Sequence, residues 1–361
     1  MRTTTELHRT VIIVVAAILA MPACGGNDPT DPRPAIDARL ENIPSLAATR
    51  DGSAVYFTQS SGLWVFRPAD GTVRLIAGGG DTTIAQGVDP LDLRAGAGPI
   101  AIGSNGDIVF SDSRHVWRLR DGRVTSLAHA STGDGGGHAL AERAVSELAV
   151  AADGAVWIGA GTPGLSEGFG IFGLYRVDPL GVLTEIDLSA LGWFTDMAVQ
   201  VDGSLLTSEV GDTIRTVASD GVITVVGGTG DLSLGGLGPN DYPILLEDAD
   251  LEHAVTNELI TFGDAVLYWD LRGGLVELTH GSIAGVVVPI TGFDGLQASP
   301  STDLGQLLGL AAAGSGATFA DTTGHSLWVA FPAVGGRDSA SISAVDLASG
   351  QATVVAGSVG E

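Results

Sequence analysis

The chain has 361 residues, of which 45% are hydrophobic, and it carries a formal net charge of -25 at pH 7. This charge disfavours nucleic acid and anionic lipid as partners and suits cations or basic ligands. All 17 basic residues are arginine, and the absence of lysine excludes Walker-type phosphate loops, Schiff-base chemistry and Ser-Lys nucleophile pairs.

The N-terminus predicts an exported protein. Residues 1–10 carry Arg2 and Arg9, and the apolar stretch Val11–Ala20 that follows them is too short to span a bilayer. A basic segment followed by a short apolar segment is typical of a secretory signal, here residues 1–23. Because the chain has one cysteine, it forms no internal disulfide, and the exported fold depends on burial of its core.

Cys24 falls at the predicted cleavage site, after Ala20-Met21-Pro22-Ala23 and before Gly25-Gly26. This context resembles a bacterial lipoprotein box. The resemblance implies that Cys24 is lipidated and that residues 24–36 tether the domain to a membrane of the cell envelope. The alternative is ordinary cleavage, which leaves a free thiol on a secreted or periplasmic protein.

The remaining chain repeats one pattern six times: four short strands, with tight turns after the first and third and a loop after the second. The turns carry Gly, mostly with Asp or Asn: Asp51-Gly52, Asn105-Gly106, Asp153-Gly154, Asp202-Gly203 and Gly263-Asp264 after first strands, and Asp70-Gly71, Asp121-Gly122, Leu180-Gly181, Asp220-Gly221, His280-Gly281 and Ser349-Gly350 after third strands. Such dipeptides favour tight hairpins because they adopt positive φ at low cost. The repeat predicts an all-β fold, a six-bladed β-propeller of four-stranded antiparallel blades over residues 37–361.

Two details of this pattern stay open. The first turn of the sixth unit is either Gly314-Ser315-Gly316 or the segment 321–324, which would leave residues 332–341 as an insertion. A short helix also fits residues 138–145, the only helical pattern between the predicted strands.

Several units resemble NHL-type repeats. The segment Ser146–Trp157 has an apolar-Ala run before Asp-Gly and then a Trp-bearing strand, and Ile76–Gly80 is a Gly-rich stretch after a fourth strand. The resemblance covers about residues 37–361 and implies a propeller, but motifs this short bear on fold far more than on activity.

Strand direction sorts the loops of such a fold. In a four-stranded meander the start of the first strand and the end of the second lie on one face, and both tight turns lie on the other. We call the former the long-loop face, because the linkers between units also lie there. Acidic residues fall on this face in two sets: Glu147, Asp196 and Glu258 just before first strands, and Asp112, Glu209 and Asp270 at the ends of second strands.

The first set predicts a cation site. First strands line the channel of a propeller, so Glu147, Asp196 and Glu258 are expected to meet at its mouth, with Asn257 as a neutral oxygen donor. Carboxylates brought together suit a hard cation such as calcium, which takes about six to eight oxygen ligands. The alternative is that the strand-end acids cap the loops that follow them and the first set is solvated at the rim.

Two linkers on the long-loop face carry residues suited to a partner. Trp193 is placed to meet a ligand or to pack in the core, and Asp241 and Tyr242 lie in the longest and most acidic linker, residues 227–253. We therefore expect a monomeric cell-envelope binding or scaffolding module that holds a protein or small ligand on this face. The alternative is a calcium-dependent hydrolase or lyase at the channel mouth, by analogy with six-bladed lactonases that hold a metal there.

Overall fold

A computed structural model describes the chain at residues 31–35, 38–41, 43–49, 51–82, 86–112, 114–129, 138–140, 144–161, 171, 173–189, 194–209, 213–228, 232–233, 244–250, 259–262, 265–270, 274–279, 282–288, 318–321, 326–331, 340–346 and 351–357. These residues form strands and turns, with two short 3-10 turns at Pro90–Asp92 and Leu246–Asp248 and no α-helix among them. Within the same residues, no helix has the length and apolar character needed to cross a membrane.

The first two sheets each carry extra strands on a four-stranded meander. The first sheet has the order β1-β5-β4-β3-β2, with β1 (Arg33–Pro34), β2 (Ser45–Ala48), β3 (Val55–Gln59), β4 (Gly62–Arg67) and β5 (Thr72–Ala77). The second has β6 (Gln86–Val88), β7 (Ile100–Ile102), β8 (Ile108–Ser111), β9 (His115–Arg120), β10 (Arg123–His129) and β11 (His138–Ala139), where β6 and β11 both pair with β10.

The third and fourth sheets are plain meanders. The third consists of β12 (Ala144–Val150), β13 (Val156–Gly161), β14 (Gly173–Val177) and β15 (Leu183–Ile186). The fourth consists of β16 (Phe194–Val199), β17 (Leu205–Glu209), β18 (Ile214–Val217) and β19 (Ile223–Gly227).

The linker after the fourth sheet forms three short strands, β20 (Leu232–Ser233), β21 (Ile244–Leu245) and β22 (Ala249–Asp250). β20 pairs with β22, and β21 adds to the outer edge of the fifth sheet, made of β23 (Leu259–Phe262), β24 (Ala265–Asp270), β25 (Gly274–Thr279) and β26 (Ser282–Val288). The sixth sheet is made of β27 (Thr318–Asp321), β28 (Ser326–Phe331), β29 (Ser341–Asp346) and β30 (Gln351–Ala356).

The first strands of the sheets contact one another in a closed circle: β2 contacts β7, β7 contacts β12, β12 contacts β16, β16 contacts β23, β23 contacts β27, and β27 contacts β2. Sheets arranged in this way surround a common axis, as in a β-propeller. The predicted all-β propeller fold is therefore confirmed. Apolar clusters fill the spaces between neighbouring sheets, and the fully buried Trp117 and Trp157 lie in two of these clusters.

The tight turns follow from local chemistry. Gly154 adopts φ 87° and donates its N–H to the carbonyl of Ala151 at 2.9 Å, while Asp153 accepts the N–H of Ala155 at 2.9 Å. Gly203 repeats this geometry with φ 84°. A side chain at either position would strain the backbone, which explains why Gly follows Asp in the repeat.

The structure differs from the sequence prediction at residues 138–145 and resolves the first turn of the sixth unit. The helix predicted over residues 138–145 is wrong, because His138 and Ala139 pair with β10 and Ala144 and Val145 begin β12. Pairing with neighbouring strands outweighs the weak helical pattern. In the sixth sheet, β27 ends at Asp321 and β28 begins at Ser326. The first turn of this unit is therefore the segment 321–324 and not Gly314-Ser315-Gly316.

Candidate functional site

Glu147 and Asp196 lie on neighbouring first strands, β12 and β16, inside these strands and not just before them as predicted. The pairing register of β12 with β13 shifts between Val145 and Glu147, and that of β16 with β17 shifts between Phe194 and Asp196. Both strands thus carry a bulge immediately before the acidic residue. A bulge bends the strand and re-aims the side chain that follows it, so the two carboxyl groups are presented in the same way.

The carboxylate of Asp196 is held by two backbone donors. The Met197 N–H donates to Oδ1 at 2.6 Å, and the N–H of Leu259, on β23 of the next sheet, donates to Oδ2. Asp196 is buried, with 8% of its surface exposed. Both oxygens therefore have fixed positions, and Asp196 also links the fourth sheet to the fifth.

Glu147 has no hydrogen-bond donor among the described residues, and its side chain is half-buried. Opposite it in the sheet is Gly159, where an added Cβ would lie 2.7 Å from Ile171 Cδ1 and 3.1 Å from Glu147 Cβ. The Ile171 side chain thus occupies the space that Gly159 leaves beside Glu147. Ile171 is held there because its N–H donates to the carbonyl of Phe194 at 2.7 Å.

Burial raises the pKa of Glu147 to about 8. The pKa of Asp196 is also well above its usual value, because of burial and then of repulsion from Glu147, although the N–H groups of Leu259 and Met197 oppose this rise. Hydrogen bonds to a carboxylate favour its ionised form. Among the described residues only Asp196 receives them, so they favour the ionised form of Asp196 over that of Glu147.

Hydrogen bonds across the seams between sheets indicate where a backbone donor to Glu147 would be expected. At the first seam, Ile100 on β7 donates its N–H to Ser45 Oγ on β2 at 3.2 Å. Leu259 bonds Asp196 in the same way between the fourth and fifth sheets. Met197 holds the matching position between the third and fourth sheets, but its N–H goes to Asp196 instead of Glu147. Among the described residues, Glu147 therefore receives no N–H of this kind.

The other two predicted ligands, Asn257 and Glu258, lie outside the described residues. They directly precede Leu259, whose N–H reaches Asp196. Among the residues that the structure describes, no group of three or more His, Cys, Asp or Glu has the arrangement of a metal site. Glu147 and Asp196 are the part of the predicted set that the structure brings together.

The second acidic set is engaged in its own loops. Asp112 Oδ1 accepts the N–H groups of Arg114 at 2.9 Å and His115 at 2.8 Å and contacts His115 Nδ1 at 3.2 Å. Burial raises the pKa of Asp112, but these hydrogen bonds outweigh it and the net shift is downward. Glu209 is buried and forms an ion pair with Arg215, with 2.7 Å between Oε1 and Nε. Asp112 thus caps the segment that follows its strand, as the capping alternative predicts, whereas Glu209 pairs with an arginine on the next strand, β18.

Of the remaining predicted residues, only Asp270 lies among the described residues. Asp270 ends β24, opposite Gly274. Trp193, Asp241, Tyr242 and Cys24 lie outside the described residues. Sequence reasoning missed Ile171 and the N–H of Leu259, because an isoleucine in a Gly-rich loop and a backbone amide carry no chemical signature.

Solved structures with a similar fold were found at low sequence identity. A protein of unknown function from Bacteroides thetaiotaomicron VPI-5482 is 12% identical over 84% of this chain and 70% of that chain, with a TM-score of 0.48. A virginiamycin B lyase from Staphylococcus aureus is 16% identical (85% and 80% covered, TM-score 0.42). A gluconolactonase from Xanthomonas campestris is 14% identical (81% and 84% covered, TM-score 0.40).

No protein-family model and no curated protein matched the chain. All three TM-scores are below 0.5, so the chemistry of these proteins is not carried over to this chain.

Proposed function

We propose that this protein is an exported, membrane-tethered propeller that binds its ligand on the long-loop face, with a calcium ion between Glu147 and Asp196 as part of the binding site. The observation that supports this proposal best is the repulsion between two carboxyl groups, the buried Asp196 and the half-buried Glu147, each of which has a raised pKa. Among the described residues no Arg or His forms an ion pair with either of them. Such a pair destabilises the fold unless a proton or a cation lies between its members.

The two residues have different roles in this proposal. Asp196, held by the N–H groups of Met197 and Leu259, would be the fixed ligand, and each of its oxygens retains a lone pair. Glu147, which has no donor among the described residues, would give up its proton on binding calcium. Asn257 and Glu258 are the proposed further ligands, and water or the bound ligand would supply the other oxygens that calcium requires.

Calcium titration tests this proposal. In the mature chain, calcium at about 100 times its Kd should raise the free energy of unfolding by about 2.7 kcal/mol, observed as a higher Tm that a chelator reverses. Glu147→Gln and Asp196→Asn should lose the effect, whereas Glu247→Gln, a matched change at an exposed acid, should keep it. A Tm that neither calcium nor chelator changes, without any heat of binding, would refute the proposed site.

A hydrolase or lyase is the second candidate function. A protonated carboxyl with a pKa of about 8 beside a carboxylate is suited to general acid-base chemistry near neutral pH. Glu147 would protonate a leaving oxygen or nitrogen, and Asp196 would stabilise positive charge. Assays on a panel of lactones should then show turnover that Glu147→Gln abolishes and Glu247→Gln preserves. Absence of turnover in a calcium-loaded protein would leave the binding module as the function.

The partner and the localisation are proposed from the sequence. Trp193, Asp241 and Tyr242 are the proposed partner contacts of a monomeric domain, and a lipidated Cys24 is the proposed anchor to the cell envelope. Metabolic labelling with an alkyne fatty acid should mark the full chain and not the Cys24→Ser variant. Equal labelling of the two would refute the anchor, and capture of a partner that is undiminished by Asp241→Ala and Tyr242→Ala would refute that contact.

A further inference from the structure

The N-terminal segment lies in the seam between the first and sixth sheets. β1 pairs antiparallel with β5, the outer strand of the first meander, with Arg33 opposite Val73. The Ala35 N–H donates to the carbonyl of Gly71 at 2.8 Å, and the carbonyl of Ala35 accepts the N–H of Gly357 at 3.0 Å. Ala35 therefore joins the beginning of the ring to its end through both of its backbone polar groups.

The same segment buries apolar side chains in the seam. Leu40 is 2% exposed, and its carbonyl accepts the N–H of Ala340 at 2.9 Å. Leu40 and its neighbours in the segment belong to one apolar cluster. The segment contributes Ala35, Ala38, Leu40 and Ile43, and the first and sixth units contribute residues that include Phe66, Trp328, Ala340, Ile342 and Ala356. We call residues 33–35, 38–41 and 43 the strap.

Polar contacts hold the two ends of the strap against the first sheet. The Arg33 guanidinium carbon lies 5.4 Å from the ring centroid of Trp64, within the range of a cation-π interaction. At the other end, the Glu41 N–H donates to Gln59 Oε1 at 3.0 Å, and the Ser60 hydroxyl donates to the Glu41 carboxylate.

The first and sixth sheets each have four strands of their own, so the strap completes neither of them. The strap lies along the two sheets as an extended peptide lies in a groove. In peptide recognition of this kind, main-chain hydrogen bonds provide affinity and apolar side chains in pockets provide specificity. We propose that the seam between the first and sixth sheets is a peptide-binding groove, that the strap is its intramolecular ligand, and that release of the strap opens the ring at this seam alone. The strap begins at Arg33, inside the segment predicted as the tether, so events at the N-terminus would act on this seam.

Amide hydrogen exchange of the full chain tests the proposal, because two amides report on the strap. Ala340 and Gly357 each donate to a strap carbonyl, whereas Gly154 and Gly203 donate within tight turns elsewhere. In Leu40→Asp the exchange rates of Ala340 and Gly357 should rise at least about tenfold while those of Gly154 and Gly203 stay unchanged, as expected for local opening. Leu180→Asp, the same change at a leucine that is 90% exposed, is the matched control and should alter none of them.

A synthetic peptide of residues 31–44 then tests the groove itself. Added to the Leu40→Asp protein, it should restore slow exchange at Ala340 and Gly357, while a peptide that carries Leu40→Asp should not. Three results would overturn the proposal: unchanged exchange at the two reporters in Leu40→Asp, an equal rise at all four amides, or failure of the native peptide to restore protection.

Discussion

Gly159 lies directly opposite Glu147 in the third sheet, and the Ile171 side chain fills the space that a side chain at Gly159 would need. Gly159 lies in a strand and not in a turn, so its lack of a side chain matters for packing. An added Cβ would require Ile171 to shift and would also lie 3.1 Å from Glu147 Cβ.

Gly159→Ala should therefore destabilise the protein. The new methyl group would lie 2.7 Å from Ile171 Cδ1, and overpacking of this kind costs about 1–3 kcal/mol in the free energy of unfolding, measured by urea denaturation. Gly96→Ala is the control, because its Cβ would lie 3.7 Å from Asp112 Cβ, an ordinary contact, and we expect a change within about 0.5 kcal/mol. Equal stabilities of the two variants would contradict the tight packing at Gly159.

Glu147→Gln should stabilise the calcium-free protein in a pH-dependent way. The pKa of Glu147 rises from 4.5 to about 8 on folding, because burial disfavours the charged form. Its protonated form contributes stability that is fully present below about pH 4.5 and is lost as the pH rises to about 8. Unfolding in chelator at pH 5 and pH 8 should show the advantage of the variant growing by about 1–3 kcal/mol at the higher pH.

A wild-type protein and a Glu147→Gln variant with parallel pH profiles would show that Glu147 is not buried beside Asp196. Glu247→Gln, at an exposed position, should follow the wild-type profile throughout.

Asp196→Ala should be destabilising, although it removes the same repulsion. The change leaves the N–H groups of Met197 and Leu259 without their acceptor, and each unsatisfied buried donor costs about 1–3 kcal/mol. Asp196→Asn retains one acceptor oxygen and should fall between Asp196→Ala and the wild type in urea denaturation. If Asp196→Ala is as stable as Glu147→Gln, the hydrogen bonds to Asp196 are not important to the fold.

Asp107→Ala should destabilise the second sheet at neutral pH and much less in acid. Asp107 accepts a hydrogen bond from Arg120 Nε at 2.6 Å and lies 3.7 Å from the Nε of the largely buried Arg118, so its loss leaves Arg118 without a nearby carboxylate and should cost about 1–3 kcal/mol. Burial raises the pKa of Asp107, but the bonds from Arg120 and Asn105 and the charges of Arg120 and Arg118 lower it overall. Its stabilising contribution is therefore present above pH 3.8 and lost below it.

Thermal unfolding of Asp107→Ala from pH 7 to pH 2 checks this prediction. The gap in stability to the wild type should close as the pH falls, and Asp81→Ala, at an exposed acid, should show no gap at any pH. A gap that is constant down to pH 2 would assign the loss to packing instead of charge.

The turns and the approach of Glu147 to Asp196 could both be predicted from the sequence. Asp-Gly at Asp153-Gly154 and Asp202-Gly203 fixes a tight turn locally, and strand direction alone then places both acids on one face. The bulges before Glu147 and Asp196 could not be predicted, because they depend on the register against β13 and β17. These bulges also decide which acid receives the N–H of Met197.

The strap also could not be predicted from the sequence, because its contacts are not local. Its pairing with β5 spans only Arg33 and Pro34, too short a segment to show a hydrophobic period, and Leu40 and Ala35 find their partners at Ala340 and Gly357, at the other end of the chain. Local patterns carry no information about contacts at such separations. The boundary predicted at residue 37 accordingly falls inside the segment that closes the seam.

The short strands β1, β6, β11 and β21 cover outer edges of the first, second and fifth sheets. An uncovered edge offers a row of free amide and carbonyl groups on which another molecule can add a strand, the first step of aggregation. These few residues, taken from the connecting segments, therefore protect an all-strand protein against uncontrolled polymerisation through its outer edges.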